Sequence, residues 1–281
     1  MFFNVKKLKA KFIALLIFVF VLSGCDYEVS PWSLDADCSD EVSIARNIER
    51  LKAYEQKVGP RAEYQVAIIS DPQQYPGSFE KLIKHVNTLP EVDFILLTGD
   101  LADTGTKAEY EWVCKVMEKA KQPIFAVIGN HDALAFGKDL WARVFGPEDY
   151  SFTYQNSKFI AYNDNKYEFT NVPDRDWLAA EAAGDAERDY TMVFSHIPPW
   201  DFDLTLSQDL KDLGVDLGVH GHEHSFDYWQ ITGVQLPHYV VTSTKKKGFG
   251  LLTINPAGYT LENCTTSSCT VAQLRNRNAS L

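Results

Sequence analysis

Basic charge is scarce in this 281-residue chain: 27 lysines and arginines stand against 38 aspartates and glutamates, a formal charge of −11. Nothing makes a basic stripe, and long-range steering would repel nucleic acid, so a nucleic-acid partner is not expected. The chain also lacks a repeat period and a second core, which excludes a solenoid or a two-domain layout. Its unbroken apolar run from Phe12 to Leu22 falls short of the ~20 residues that span a bilayer comfortably. Cysteine is sparse, five in all, and none falls among the candidate ligands, which excludes a thiolate metal centre there.

What the N-terminus does have is a basic stretch (Lys6, Lys7, Lys9, Lys11), that apolar run, and then Leu22-Ser23-Gly24-Cys25. This order reads as a secretory signal. The tetrapeptide resembles the lipobox of bacterial lipoproteins, in which cleavage precedes the cysteine and its thiol carries a diacylglyceryl group. The expectation is that residues 1–24 are removed and that Cys25 anchors an exported protein to the membrane, on its periplasmic or extracellular side. Asp26 resembles the signal that retains lipoproteins at the inner membrane of a Gram-negative host. The alternatives are an ordinary secreted protein or an uncleaved anchor. Cleavage removes four lysines and no acid, leaving 23 basic against 38 acidic residues, a formal charge of −15.

Residues 25–60 read as the acylated cysteine, a linker and a short helix, with Val42, Ala45, Ile48 and Leu51 at helical spacing. From 61 to 264, apolar strands alternate with helical stretches that begin near Gly77 and Thr106, the signature of parallel βαβ units. After His220 the pattern turns to short strands separated by turn residues such as Asn255-Pro256. An α/β fold follows, a mixed two-sheet sandwich flanked by helices. Residues 265–281 read as a polar, poorly ordered tail.

Five short polar motifs each follow an apolar run that reads as a strand. They are Asp71-Pro72-Gln73 after VAIIS, Gly99-Asp100-Leu101 after FILLT, Gly129-Asn130-His131-Asp132 after IFAVI, Ser195-His196 after TMVF, and Gly221-His222-Glu223-His224 after VDLGVH. Every candidate ligand therefore lies at the carboxyl end of a strand, where open α/β sheets place their sites. Carboxylate and amide oxygens suit hard cations and imidazole suits Mn, Fe, Zn or Co, so the set fits a pair of divalent ions. Two such ions clamp the attacking and leaving oxygens of a phosphoryl group. Their charge attracts an anionic substrate locally despite the acidic surface.

Order, motifs and strand placement resemble the calcineurin-like metallophosphoesterase superfamily over roughly residues 64 to 262. TGDLADTGTKAEYEWV, AVIGNHD and SHIPPW are most similar to its class III cyclic nucleotide phosphodiesterase branch. The resemblance implies an αββα sandwich, with Asp71, Gln73, Asp100 and His224 around one ion and Asp100, Asn130, His196 and His222 around the other, Asp100 bridging. It implies that His131 faces the phosphoryl group, that Asp132 fixes the tautomer of His131, and that a hydroxide held between the metals attacks phosphorus. Gln73 departs from the family's usual histidine. Its carboxamide oxygen is a harder and weaker donor than imidazole, which favours Mn or Mg over Zn at that ion.

Each residue also has a plainer reading. Asp71-Pro72 and Gly99-Asp100 are ordinary turn pairs, and a single histidine beside a strand is more often a hydrogen-bonded core residue. Five such motifs in order outweigh these readings. His220 reads as a core or supporting histidine, Asp103 as a helix cap ahead of a substrate contact, and Trp200, Tyr228 and Trp229 as core aromatics ahead of a wall for the leaving group. Cys264 and Cys269 suit a small-loop disulfide in an exported protein. Cys38 and Cys114 are either a second pair or free thiols, with Cys114 buried on a helix by default.

The expected activity is hydrolysis of phosphate esters, diesters first, on a small molecule or a lipid head group. A phosphomonoesterase or nucleotide pyrophosphohydrolase is the alternative within enzymes. A catalytically silent lipoprotein that binds a partner is the alternative of another class; retention of both Asp100 and His131 speaks against it.

Overall fold

The computed structural model describes residues 30, 33–184 and 188–278. Cys25 and residues 1–24 lie outside the described residues. After a turn of 3-10 helix at Asp40–Val42 comes α1 (Ile44–Val58), started by Ser43, whose hydroxyl accepts from the Arg46 amide. Such a cap contributes about 1 kcal/mol. Ile44, Asn47 and Leu51 lie on one buried face of α1, the helical period that turns an apolar stripe inward.

The helix expected to precede the domain is instead built into it. Val42, Ile44 and Leu51 join the main core, and Asn47 Oδ1 accepts from the Ile124 amide at 2.9 Å. Cys38 is bonded to Cys114, closing a separation of 76 residues, which stabilises by about 4 kcal/mol in the chain-entropy account. Cys114 is thus buried as expected, but as one half of a pair.

The next stretch is β1 (Tyr64–Ile69), α2 (Pro76–Val86), β2 (Val92–Leu97), α3 (Lys107–Met117) and β3 (Ile124–Ala126). The three strands pair in parallel, β1 with β2 and β2 with β3. All six residues of β2 are buried, as expected of a strand covered on both faces. Thr106 and Glu109 form a capping box at the start of α3, each side chain satisfying an amide that the helix leaves open.

The second sheet begins after α4 (Gly137–Val144). Its elements are the hairpin β4 (Tyr150–Tyr154) and β5 (Ser157–Ala161), then α5 (Arg175–Ala183), β6 (Tyr190–Phe194), α6 (Leu204–Asp212), β7 (Leu217–His220), β8 (Asp227–Ile231) and β9 (Pro237–Val240). The chain then returns to the first sheet with β10 (Gly248–Asn255), β11 (Gly258–Thr265) and β12 (Cys269–Val271), and ends on β13 (Arg275–Arg277). The first sheet has the order β12-β11-β10-β1-β2-β3 and the second β13-β8-β9-β7-β6-β5-β4. Phe94 and Phe125 of the first sheet meet Phe152 and Phe159 of the second, with Phe125 stacked on Phe152 at 3.9 Å and Phe94 edge-on to Phe159 at 5.1 Å. This aromatic layer lies between the sheets and gives the sandwich the sequence predicts.

The expected tail is not one. β12 pairs with β11 beside the Cys264–Cys269 disulfide, and β13 pairs in parallel with β8, Arg275 opposite Trp229 and Arg277 opposite Ile231. Both strands are three residues long and largely exposed at the edges of their sheets. Backbone hydrogen bonds order them without an apolar period, so periodicity gave no sign of them.

Candidate metal centre

The carboxyl ends of β1, β2 and β3 meet those of β6 and β7, and the five motifs converge there. Two groups of side chains bring their ligand atoms within 4.8 Å of one another: Asp100, His196 and His222, and Asp71, Asp100 and His224. Asp100 belongs to both. Its Oδ2 lies 3.3 Å from His196 Nε2 and accepts from Gln73 Nε2 at 3.1 Å, while Oδ1 accepts the His131 amide at 3.0 Å.

On one side, His196 Nε2 is 3.2 Å from Asn130 Oδ1 and 3.3 Å from His222 Nδ1. His196 Nδ1 donates to the Thr98 carbonyl at 2.8 Å, which leaves Nε2 as the nitrogen with a lone pair for a cation. On the other side, His224 Nε2 lies 3.0 Å from Asp71 Oδ1, and the His224 side chain is 48% exposed. Every residue expected to bind metal is therefore gathered around Asp100.

The residues present suit divalent cations on one further observation. Asp71 Oδ2 and Gln73 Oε1 are buried and have no hydrogen-bond partner. An unsatisfied buried acceptor is costly, and a cation among Asp71, Asp100, Gln73 and His224 would satisfy both. The backbone points the same way, because Asp71, Asp100, His222 and His224 all have left-handed φ, 51°, 54°, 66° and 55°. Strain of that kind costs about 1–3 kcal/mol per residue and collects at functional sites.

The motif glycines are explained by close approach. A Cβ on Gly129 would lie 2.3 Å from Asp100 Oδ1, and one on Gly99 would lie 2.5 Å from His196 Nδ1. Neither position tolerates a side chain without moving a ligand.

Charge is balanced internally around Asp100. Burial lowers the His196 pKa, but the charge and hydrogen bond of Asp100, with Asp71 and Asp164, outweigh it and push His196 up to about 10. The His224 ring is raised by its hydrogen bond to Asp71. Burial and the His196 charge push His222 down to about 4. A metal ligand must be a neutral ring, so a cation here would displace the proton that His196 otherwise holds, and would work against the raised pKa of His224.

His131 sits at the rim, its side chain 38% exposed, and the structure corrects its expected orienting partner. Its Nδ1 donates to the Asp103 carbonyl at 2.7 Å and lies 3.6 Å from the Asp103 carboxylate. Asp132 instead accepts the Ala102 amide at 2.6 Å and the Gly129 amide at 2.8 Å. It ties the loops after β2 and β3 together, and burial and then the charge of Asp100 push it up to about 7. Asp103 does not cap α3, whose N-cap is Thr106; its carboxylate accepts from Gln74 at 2.7 Å. One residue between Asp100 and the helix decided both assignments, and only tertiary contact distinguishes them.

Asp164 escaped the sequence reading. It follows β5 within Asn163-Asp164-Asn165, is fully buried behind His196, accepts the Ile197 amide at 2.8 Å, and is pushed up to about 7 by burial. Its signal was the one that marked the other motifs, a polar cluster after an apolar strand. His220 is a buried core histidine, in a chain of contacts that runs from Ser195 Oγ to His220 Nδ1 at 2.9 Å, His220 Nε2 to His238 Nδ1 at 3.0 Å, and His238 Nε2 to Ser207 Oγ at 2.6 Å. Trp200 and Trp229 are half-buried rather than core, and arginines of β13 cover them.

The chain is similar to known proteins in sequence and in fold. The model of the calcineurin-like phosphoesterase family matches residues 64–226. A 3′,5′-cyclic-nucleotide phosphodiesterase of Nostoc sp. is 32% identical over 128 residues, 43% of this chain and 47% of that protein, so the chain matches about half the length of that relative. Among solved structures, the purple acid phosphatase from yellow lupin (Lupinus luteus) seeds superimposes with a TM-score of 0.56 at 13% identity, covering 78% of this chain and 55% of the other. GAP50, the anchor in the inner membrane complex of Plasmodium, does so with 0.58 at 16% identity, covering 75% and 87%. These two likenesses show the fold.

Proposed function

We infer the reaction from one premise: the chain belongs to the calcineurin-like phosphoesterase family. We propose that it hydrolyses phosphate esters, phosphodiesters first, with two divalent cations held by Asp71, Gln73, Asp100 and His224 on one side and by Asp100, Asn130, His196 and His222 on the other. The observation that carries this reading is the pair of ligand groups that share Asp100. The relative's name, a cyclic-nucleotide phosphodiesterase, supports a diester.

Cations bound there would neutralise phosphoryl charge and lower the pKa of water at neutral pH. The chain does the rest. Asp100 sets the spacing of the two positions, and the Thr98 carbonyl holds His196 in the tautomer that presents Nε2. The Asp103 carbonyl accepts a hydrogen bond from His131 Nδ1, leaving Nε2 to face substrate; in the imidazolium form, with both ring nitrogens protonated, His131 would give its Nε2 proton to the leaving oxygen as a general acid and be left as the neutral Nδ1–H ring. Asp132 holds the loop that carries Asn130 and His131.

We also propose that the protein is an exported lipoprotein anchored through Cys25, a residue outside the described ones. The support is the sequence from Lys6 to Cys25; among the described residues no helix is long and apolar enough to cross a membrane. Cys25→Ser should release the protein from the membrane fraction or leave it unprocessed, and a processed, membrane-bound variant refutes the anchor.

The reaction is tested by assaying diesters, monoesters and nucleotides with Mn²⁺, Fe²⁺, Zn²⁺ and Mg²⁺ after chelator treatment. Diester turnover that returns with added metal supports the proposal. Turnover of monoesters alone favours the phosphatase reading, and no turnover with full metal occupancy favours a silent binding protein.

A further inference from the structure

The strand that ends the described chain reaches the histidine loop. Gln230 Nε2 of β8 donates to Asn276 Oδ1 of β13 at 2.8 Å. Arg275 pairs with Asp227, and its guanidinium carbon lies 3.9 Å from the centre of the Trp229 ring. Two residues on, the guanidinium of Arg277 lies 4.8 Å from the Trp200 ring and 5.9 Å from the Trp229 ring, and its nitrogen is 3.9 Å from Glu223 Oε1. Trp200 donates Nε1 to the same Glu223 oxygen at 2.6 Å.

Glu223 is the residue between His222 and His224. Both histidines hold left-handed backbone, a state that persists only where the surroundings over-determine it. Part of that restraint is local, since Thr242 Oγ1 donates to the His224 carbonyl at 2.9 Å and the Glu223 amide to the Gly221 carbonyl at 2.8 Å. Those bonds hold the ends of the loop, whereas the Glu223 side chain is its handle. Trp200 comes from the segment after His196, so the handle also joins the two histidine-bearing loops. Arg277 over the Trp200 face holds that indole by a cation–π contact and offers Glu223 a counter-charge.

We propose that Trp200, Arg277 and Glu223 form a clamp that positions His222 and His224 for metal, and that β13 is thereby a working part of the site. None of the three binds the cation; each acts through the histidine loop as a positioning residue. The clamp rests on the metal reading of the site. Partners that orient ligands in this way typically change metal affinity by about 10- to 100-fold when removed.

The test uses the full chain, stripped by chelator and titrated with Mn²⁺ while free Mn²⁺ is followed by electron paramagnetic resonance. Trp200→Phe and Arg277→Ala should each weaken binding by about 10- to 100-fold, with Arg277→Lys recovering most of the loss. Glu223→Gln, which keeps an acceptor for Trp200 and loses the charge, should fall between them and the parent. Gln230→Ala loosens the β8–β13 pairing without touching Glu223 and should bind as the parent does. Parental affinity in Trp200→Phe and Arg277→Ala overturns the clamp, as does an equal loss in Gln230→Ala, which would make strand docking alone responsible. If Trp200→Phe fails to fold by circular dichroism, the Arg277 pair decides. A parent that binds no Mn²⁺ in the titration and retains no Fe, Zn or Mg by elemental analysis after incubation with each removes the metal reading itself, a result distinct from variants that merely match a binding parent.

Discussion

The two sides of Asp100 are built from the same kinds of residue but differ in enclosure. Around His196 the enclosure is greater: His196 is fully buried, tied by the Thr98 carbonyl and backed by Asp164, and Asn130 and His222 are partly buried. Around Asp71 the carboxylates are buried too, yet His224 is half exposed and Gln73 contributes a neutral amide whose oxygen has no partner. An enclosed position with oriented imidazoles binds its ion at little cost in ordering, whereas the open one must order His224 and draw on a weaker donor. Under the two-cation proposal, the chain would therefore carry two unequal sites on one shared carboxylate.

The largest effect should come from removing what the two sides share. Asp100→Asn takes a charge from both positions and should leave the protein nearly free of metal by elemental analysis, with turnover lost alongside. Retention of one full equivalent would show that the sites do not depend on a common bridge. His131→Ala touches neither side and should keep the parental metal content while kcat falls by about 10²- to 10⁴-fold, the range for a positioned acid. A metal-poor variant would make His131 a structural residue.

Single ligands then separate the sides. His196→Ala should abolish the tighter of two Mn²⁺ affinities in calorimetric titration, and His224→Ala only the weaker. A reversed order would mean that exposure is not what ranks them. The smallest change is expected at Gln73: Gln73→His should tighten the weaker site and Gln73→Ala loosen it, by about 10-fold or less. Equal affinities in the parent, unmoved in both variants, would take Gln73 off the list of ligands.

Where sequence reasoning failed, it failed on contacts of one kind. Asp132 and Asp103 are both acids near His131, and nothing in spacing tells which supports the ring. The fold answers by presenting the Asp103 carbonyl, a backbone group invisible to residue-type arguments, and by spending the Asp132 carboxylate on two amides from different loops. Arg275 and Arg277 read as parts of a solvated tail because no apolar period surrounds them. Their order comes from edge pairing with β8 and from tryptophans far away in sequence.

The sequence by itself determined the sandwich, the alternation of βαβ units and the identities of the polar residues gathered around Asp100. Apolar runs specify strands through burial, and the polar motifs sit where those runs must end, so both are local in the chain. Only the tertiary structure decided which acid supports His131, that Asp164 stands behind His196, that Cys38 pairs with Cys114, and that the last strand covers the tryptophans beside the histidine loop. Each of these joins groups separated along the chain, and their pairing depends on how the two sheets pack face to face and which segments reach the strand ends and edges, a geometry that no single stretch of residues carries.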